Sequence, residues 1–357
     1  MSQGYRPLLV TGRGLLARSI AAWGAVTHPF RDRRMVLCFH SISPTSDDEQ
    51  ERGYVSREQR VEFKKLYAWL EWLSERASFL SLGDLLADRG RGLRIALTFD
   101  DGYADVLRLG LPMLGRLEIP ATWFVSPHFV THPERLPWWD LLDFVCRNVR
   151  GSIEYSLRDE SFRYDLAGAG ERRRFACEQR ERFLREEPGR RSERYREVVD
   201  ALPPSASLPR NGFATAAEVR EASRSEWITI GGHTMTHQNL AACSRAIAQR
   251  EIAEGKRVLE EWCGGQLEHF AYPFGARPYW NEDAVHEVKA AGFDAAFVLD
   301  PVYLEVGTDR FTVPRLAVEG SWSTAEFRAR VRGAGVYRVL RRGREAVLDT
   351  SRAGEHQ

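Results

Sequence analysis

Two carboxylates stand side by side in "ALTFDDGY", Ala96 to Tyr103, directly after an apolar run. Successive residues of an extended strand point to opposite faces. Asp100 and Asp101 can share one mouth if the strand stops at Phe99 and Gly102 lets the backbone turn sharply. A second group lies in "GGHTMTHQNL", where His233 and His237 are four apart. A helical turn would put both imidazoles on one face, a common way to hold a divalent metal with a carboxylate as third ligand. His40 ends the apolar run "VLCF"; alone, such a histidine is more often a hydrogen-bonded structural residue. One Asp and two His leave positions open on a metal such as zinc, which then polarises a carbonyl. The second carboxylate could activate water and a third imidazole protonate a leaving group. These parts describe metal-assisted hydrolysis of an acyl bond.

Each group follows a segment that reads as a strand, and ends of parallel strands are where α/β folds place their sites. Met35–Phe39, "RIALTF", "PATWFVS", "EWITIGG", "HFAYPFG", "AAFVLD" and "FTVPRLAV" are the strand candidates. Between them, helical spacing predicts a helix through "SREQRVEFKKLYAWLEWLSER" with Ser56 at its N-cap. "VLRLGLPMLGRLE", "TAAEVREAS" and "NEDAVHEVKAAGF" also read as helical, as does a long helix from Ser244 to Gly264. This alternation predicts a parallel α/β fold, a barrel or partial barrel more than two separate domains. Residues 138–210 break the pattern with a hairpin-like "GSIEYSLRDESFRYDLAG" and a charge-dense helical stretch, read as an insertion with a solvated helical face. At its start, Trp138, Trp139 and Asp140 either line a groove or pack the insertion on the core.

The 357 residues carry 51 Lys plus Arg against 50 Asp plus Glu, a balance that argues against a polyanion-binding surface as the main activity. No nucleic-acid partner is expected. The five cysteines show no CxxC spacing and read as reduced thiols. Arg13 and Arg18 interrupt the N-terminal apolar residues, so no run there spans a bilayer and no clear signal peptide is evident. The expected division is an N-terminal helical segment over 1–34, a catalytic domain over 35–330 and a basic tail over 331–357. The first segment packs on the domain or lies at a membrane surface as a peripheral contact.

Taken together, "TFDDG" (Thr98–Gly102), "GHTMTH" (Gly232–His237) and "FAYPFG" (Phe270–Gly275) resemble the three motifs of the polysaccharide deacetylase family, the NodB-homology group of carbohydrate esterase family 4. The resemblance runs from about Met35 to Val318, apart from the insertion. It implies a distorted (β/α) barrel. It also implies that Asp100 is the general base, that Asp101, His233 and His237 are metal ligands, and that the Tyr103 N–H helps hold an oxyanion. Pro273 and Phe274 would form groove wall near the substrate. The metal would be zinc first, with cobalt, nickel or another divalent ion as alternatives.

The chain departs from the family pattern twice. Ala271-Tyr272 replaces an arginine that orients the catalytic aspartate, and Arg315 could supply that charge or face the substrate. The late "LxxH" histidine is also missing. The chain resembles members in which an early strand ends in a histidine, so His40 takes the acid role. The implied function is removal of N-acetyl groups from an amino sugar in a polysaccharide, oligosaccharide or glycan precursor. Hydrolysis of acetyl esters or other C–N bonds, and a catalytically silent glycan-binding protein, are the alternatives. The expected location is cytoplasmic or at a membrane surface, with a role in exopolysaccharide or glycolipid assembly.

Overall fold

The structure is a computed structural model that describes residues 32–44 and 60–333. Most of the N-terminal segment, Ser56 and nearly all of the basic tail lie outside the described residues. In chain order the first elements are β1 (Arg33–Phe39), β2 (Ser41–Ser43), β3 (Arg60–Glu62), α1 (Phe63–Ser74), β4 (Ala77–Phe79), α2 (Leu82–Ala87) and β5 (Leu93–Phe99). A single π turn at Val106–Gly110 leads into α3 (Leu111–Leu117), followed by β6 (Ala121–Val125) and the short α4 (Pro127–Thr131). The insertion contributes α5 (Trp138–Asn148), β7 (Ser152–Leu157), β8 (Glu160–Asp165), α6 (Ala169–Arg185) and α7 (Pro188–Asp200). The rest is α8 (Ala216–Ala222), β9 (Ile228–Gly232), α9 (Arg245–Cys263), β10 (His269–Ala271), α10 (Glu282–Ala290), β11 (Ala295–Leu299) and β12 (Val313–Ala317).

Seven strands close into a parallel barrel in the order β1, β5, β6, β9, β10, β11, β12 and back to β1, while β4 pairs the early half of β5. Strands such as "RRMVLCF" and "LRIALTF" are apolar almost throughout because barrel strands are covered on both faces. Outward residues Met35, Leu37, Ile95 and Leu97 join the helices in the main core. Val36, Ala96, Phe124, Phe297 and Val313 form a smaller inner cluster. The long helix begins and ends as its termini predict. Ser244 accepts from the Ile247 N–H, and Gly264 closes the helix at φ +71°.

Two local expectations are corrected. Residues 60–62 are not the first turn of α1 but a strand that pairs β2, so α1 starts at Phe63. β10 covers only the first half of "HFAYPFG"; the chain then turns, with Phe274 and Gly275 both at positive φ. The insertion holds its hairpin, whose burial alternates residue by residue, and its own apolar cluster around Leu141, Phe162, Phe175 and Phe183. Its helical face is largely solvated, but Arg191 and Arg194 are buried. No described helix is long and apolar enough to cross a membrane.

Candidate active site

The inward face of the barrel changes character towards the C-terminal ends of the strands. With a period of two, β1 offers Val36, Cys38 and then His40, β5 offers Ala96, Thr98 and then Asp100, and β12 offers Val313 and then Arg315. The β1–β5 register sets Cys38 beside Thr98 and Phe39 beside Phe99. The Asp100 N–H then donates to the Phe39 carbonyl, which brings the two chain exits together. Alternation would send Asp101 outward. Instead Asp101 adopts φ +78° and Gly102 φ +109°, and the carboxylates of both aspartates reach one cleft.

Asp100 sits in a buried cradle. Arg315 grips it with both ends of the guanidinium, Nη1 to Oδ1 at 2.7 Å and Nη2 to Oδ2 at 2.8 Å. Arg315 Nη1 also donates to Thr98 Oγ1, which itself donates to the Leu37 carbonyl. The Cys38 thiol lies 3.4 Å from Asp100 Oδ2 as a further donor. Burial pushes the Asp100 carboxyl up, but the adjacent Arg315 charge, helped by His233 and His40, leaves it below the usual range. The same burial, with Asp100 beside it, holds the Cys38 thiol well up in spite of Arg315. A ligand-type atom of His40 lies within 4.8 Å of both the Cys38 sulfur and an Asp100 oxygen. This cluster does not suit a cation, because Arg315 already occupies both carboxylate oxygens and brings a positive charge.

The neighbouring cluster has the opposite character. His233 Nε2 and His237 Nε2 lie 3.4 Å and 3.2 Å from the same oxygen of Asp101. Ligands of a tetrahedral zinc stand about 3.3 Å apart, given bonds of about 2.0–2.1 Å. The three residues therefore fit a divalent metal in donor type and spacing. His233 Nδ1 is 2.7 Å from the Ala271 carbonyl. A carbonyl only accepts, so Nδ1 carries a proton, which fixes the ring with Nε2 turned towards Asp101. Burial takes the His237 imidazole down to about 4, against the pull of Asp101. Asp101 itself is held low: burial raises it, and the bonds to both imidazoles outweigh that.

The histidine pair does not ride on a helix. It lies on an irregular loop after β9 with Thr234 at φ +60° and His237 at φ +54°. Residues without a recognisable sequence signal hold this loop. Glu251 of α9 accepts from the Thr236 N–H and hydroxyl, and buried Arg191 of α7 donates to the Thr236 and His237 carbonyls. Gly255 lets α9 approach, since a Cβ there would meet the Thr234–Met235 backbone at 2.8 Å. Ser126, at the end of β6, ties the halves together: its N–H donates to the Asp101 carbonyl and its hydroxyl to that of His233.

The remaining expected site residues divide. Phe274 stands edge-on to the His237 ring at 4.7 Å and lines the cleft. Pro273 is buried beneath it and is not part of the lining. Arg315 is fully buried against Asp100 and does not face substrate space. Tyr103 forms an antiparallel bridge with Phe213 whose bonds use the N–H groups of Ala104 and Ala214, not that of Tyr103. Both tryptophans line the cleft: Trp139 packs on His237 at 4.5 Å and donates to the Tyr103 hydroxyl, and Trp138 also stacks on Phe183 in the insertion core. Asp140 does not line the groove; it is fully buried and accepts from the Tyr103 hydroxyl. The insertion is thereby anchored to the same turn that carries the aspartates.

Three comparisons bear on this site. A family model described as polysaccharide deacetylase matches residues 88–145 and 189–296. Over 74 residues the chain is 31% identical to a chitooligosaccharide deacetylase of Sinorhizobium fredii; the match covers 20% of this chain and 33% of that protein. The chain thus aligns with only about a third of that relative's length. Among solved structures, a de-N-acetylase from Aggregatibacter actinomycetemcomitans superposes with a TM-score of 0.53 at 17% identity, covering 84% of this chain and 100% of that one. The Streptococcus pyogenes deacetylase PplD, solved with acetate, gives 0.52 at 14% identity, covering 83% and 96%. These two share the fold.

Proposed function

The chain belongs to the polysaccharide deacetylase family, and from that premise we propose that it hydrolyses the N-acetyl amide of an amino sugar in a glycan or glycan precursor. The observation that supports this most is the division between adjacent carboxylates. Asp101 meets two imidazoles, whereas Asp100 meets a guanidinium. A divalent cation held by Asp101, His233 and His237 would supply Lewis-acid polarisation of the amide carbonyl. Asp100, kept ionised by Arg315, takes the proton from the attacking water. Arg315 fixes the direction of that carboxylate. The Tyr103 N–H, which the bridge to Phe213 does not use, would stabilise the oxygen that becomes negative. His40, which lines the same cleft beside Asp100, protonates the departing amine. Trp139 and Phe274 flank His237 and keep bulk water from that side.

The test is acetate release from N-acetylglucosamine oligosaccharides, run beside acetylated xylan, before and after chelation and with zinc, cobalt or nickel added back. Release from the amide substrate should fall at least tenfold on chelation and return with metal. Unchanged turnover in a chelated, metal-free sample would sink the reading. His40→Gln gives a second check. A general acid matters most for a poor leaving group, so amide cleavage should drop ~100-fold and cleavage of an activated aryl acetate far less. Equal losses on both substrates would remove His40 from the acid role.

A further inference from the structure

A second cavity, of about 260 Å³, lies between α7 and the loop that carries the histidine pair. It shares only Trp138 with the lining of the catalytic cleft. Its charged wall consists of Arg135, Arg191 and Glu251, two cations against one anion. Both oxygens of Glu251 already accept from Thr236, so that carboxylate serves the loop. Arg191 is buried and spends two N–H groups on the neutral Thr236 and His237 carbonyls. Among the described residues it forms no ion pair, since Glu186, whose field reaches it, is gripped by Arg194. Burial, with Arg135 adding to it against the pull of Glu251, takes Arg191 down to about 10. Arg135 lies over the Tyr195 ring, 4.5 Å from its centroid, and has no ion pair among the described residues either. His128, on the same wall, is kept neutral by burial, down to about 4. The cavity also holds unused donors. The Tyr195 hydroxyl and the Trp138 indole N–H, on residues less than a tenth exposed, have no described acceptor. The Leu136 N–H beside that hydroxyl is itself a donor. Buried donors without acceptors are costly, and a bound ion or water is the usual partner.

We propose that this cavity is a second binding site, for a small oxyanion whose phosphate or carboxylate group sits between Arg135 and Arg191 and accepts from the Tyr195 hydroxyl. An anion there separates two like charges and gives the hydroxyl its acceptor. The proposal rests on this cavity alone and not on the deacetylase reading. Arg191 joins the site to the loop, because it also holds the carbonyl of His237.

The zinc-loaded full-length protein is titrated with inorganic phosphate and, separately, with succinate, at constant ionic strength. Binding is read by calorimetry and by the rise in melting temperature. At least one of the two ions should saturate a single site per chain, and which one does so tells a phosphoryl ligand from a carboxylate. Tyr195→Phe and Arg135→Gln should each weaken that binding at least ~10-fold, the worth of one hydrogen bond to a charged group. Without ligand, Tyr195→Phe should melt no lower than wild type, because the hydroxyl it removes has no acceptor. Weak binding by that variant is then not a damaged fold. Asp101→Asn should bind the ion as wild type does, which separates the cavity from the metal site. No saturable binding of either ion, equal affinity in wild type and both cavity variants, or binding lost in Asp101→Asn would each overturn the proposal. A Tyr195→Phe variant that melts well below wild type would do so as well, since the hydroxyl would then have a partner within the protein.

Discussion

Asp100 and Asp101 share a peptide bond and are equally buried, each about 3% exposed, yet their surroundings are opposite. Around Asp100 every close group is a donor or a cation: Arg315, Cys38 and, at the cleft, His40. Around Asp101 the close neighbours are the Nε2 atoms of two imidazoles, His233 and His237. One carboxylate is held by a fixed cation; the other, in the function proposed above, would complete a metal-ligand set. The difference arises from two backbone features: alternation along β5 puts Asp100 over Thr98 and Arg315, and the left-handed Asp101-Gly102 pair redirects the second carboxylate across the barrel mouth.

The largest effect should follow from Asp101→Asn. It removes the charged ligand, so bound zinc should fall well below one per chain, and amide hydrolysis should drop ~1,000-fold or more with the lost Lewis-acid contribution. Asp100→Asn is the sharper contrast. Metal content should stay near wild type while acetate release falls ~100- to 10,000-fold, the range of a lost general base. Metal loss from both variants, measured by elemental analysis, would merge the two sites into one and end the comparison.

Arg315→Lys comes next. A lysine keeps the charge but loses the fork, leaving part of a buried carboxylate unmatched. Asp100 has its ionisation depressed in the folded state, so the Arg315 pair contributes stability that is present above the unfolded carboxyl range and is lost as pH falls through the folded value. Weakening the pair lets burial raise Asp100 instead. The acid limb of the pH–rate profile should therefore move to higher pH, and urea unfolding at pH 7 should show a loss of ~3 kcal/mol, near the low end for broken buried pairs. An acid limb that stays in place would show that Asp100 does not set it.

Much of this arrangement is readable from residue types. Gly102 after two aspartates, and histidines at 233 and 237, mark the centre because few other uses explain them together. The barrel follows from apolar strands alternating with helices. What could not be read is whatever depends on packing across the chain. Arg315 reaches Asp100 only because β12 closes the barrel onto β1, a contact 215 positions apart. Arg191 is one arginine among many in a charge-dense stretch, and only the docking of α7 buries it against the histidine loop. The helical turn expected for His233 and His237 failed because spacing of four does not specify conformation; hydrogen bonds to Glu251 hold a different one.

Cys38 gives the smallest effect and the finest test of the contrast. Its thiol is a weak, neutral donor at 3.4 Å, beside two charged bonds from Arg315 to the same carboxylate. Cys38→Ala removes one such bond, worth about 1 kcal/mol, so amide turnover should fall no more than ~5-fold, with metal content unchanged. A thiol that donates to an anion stabilises it, so the acid limb should move up slightly, in the same direction as for Arg315→Lys but by less. Cys38→Ser, which replaces the thiol by a stronger donor, should move it the other way. A hundredfold loss in Cys38→Ala, with the fold intact by circular dichroism, would mean that Arg315 does not hold Asp100 alone. The base would then depend on a three-donor cradle, and the division between the two carboxylates would rest on β1 as much as on β12.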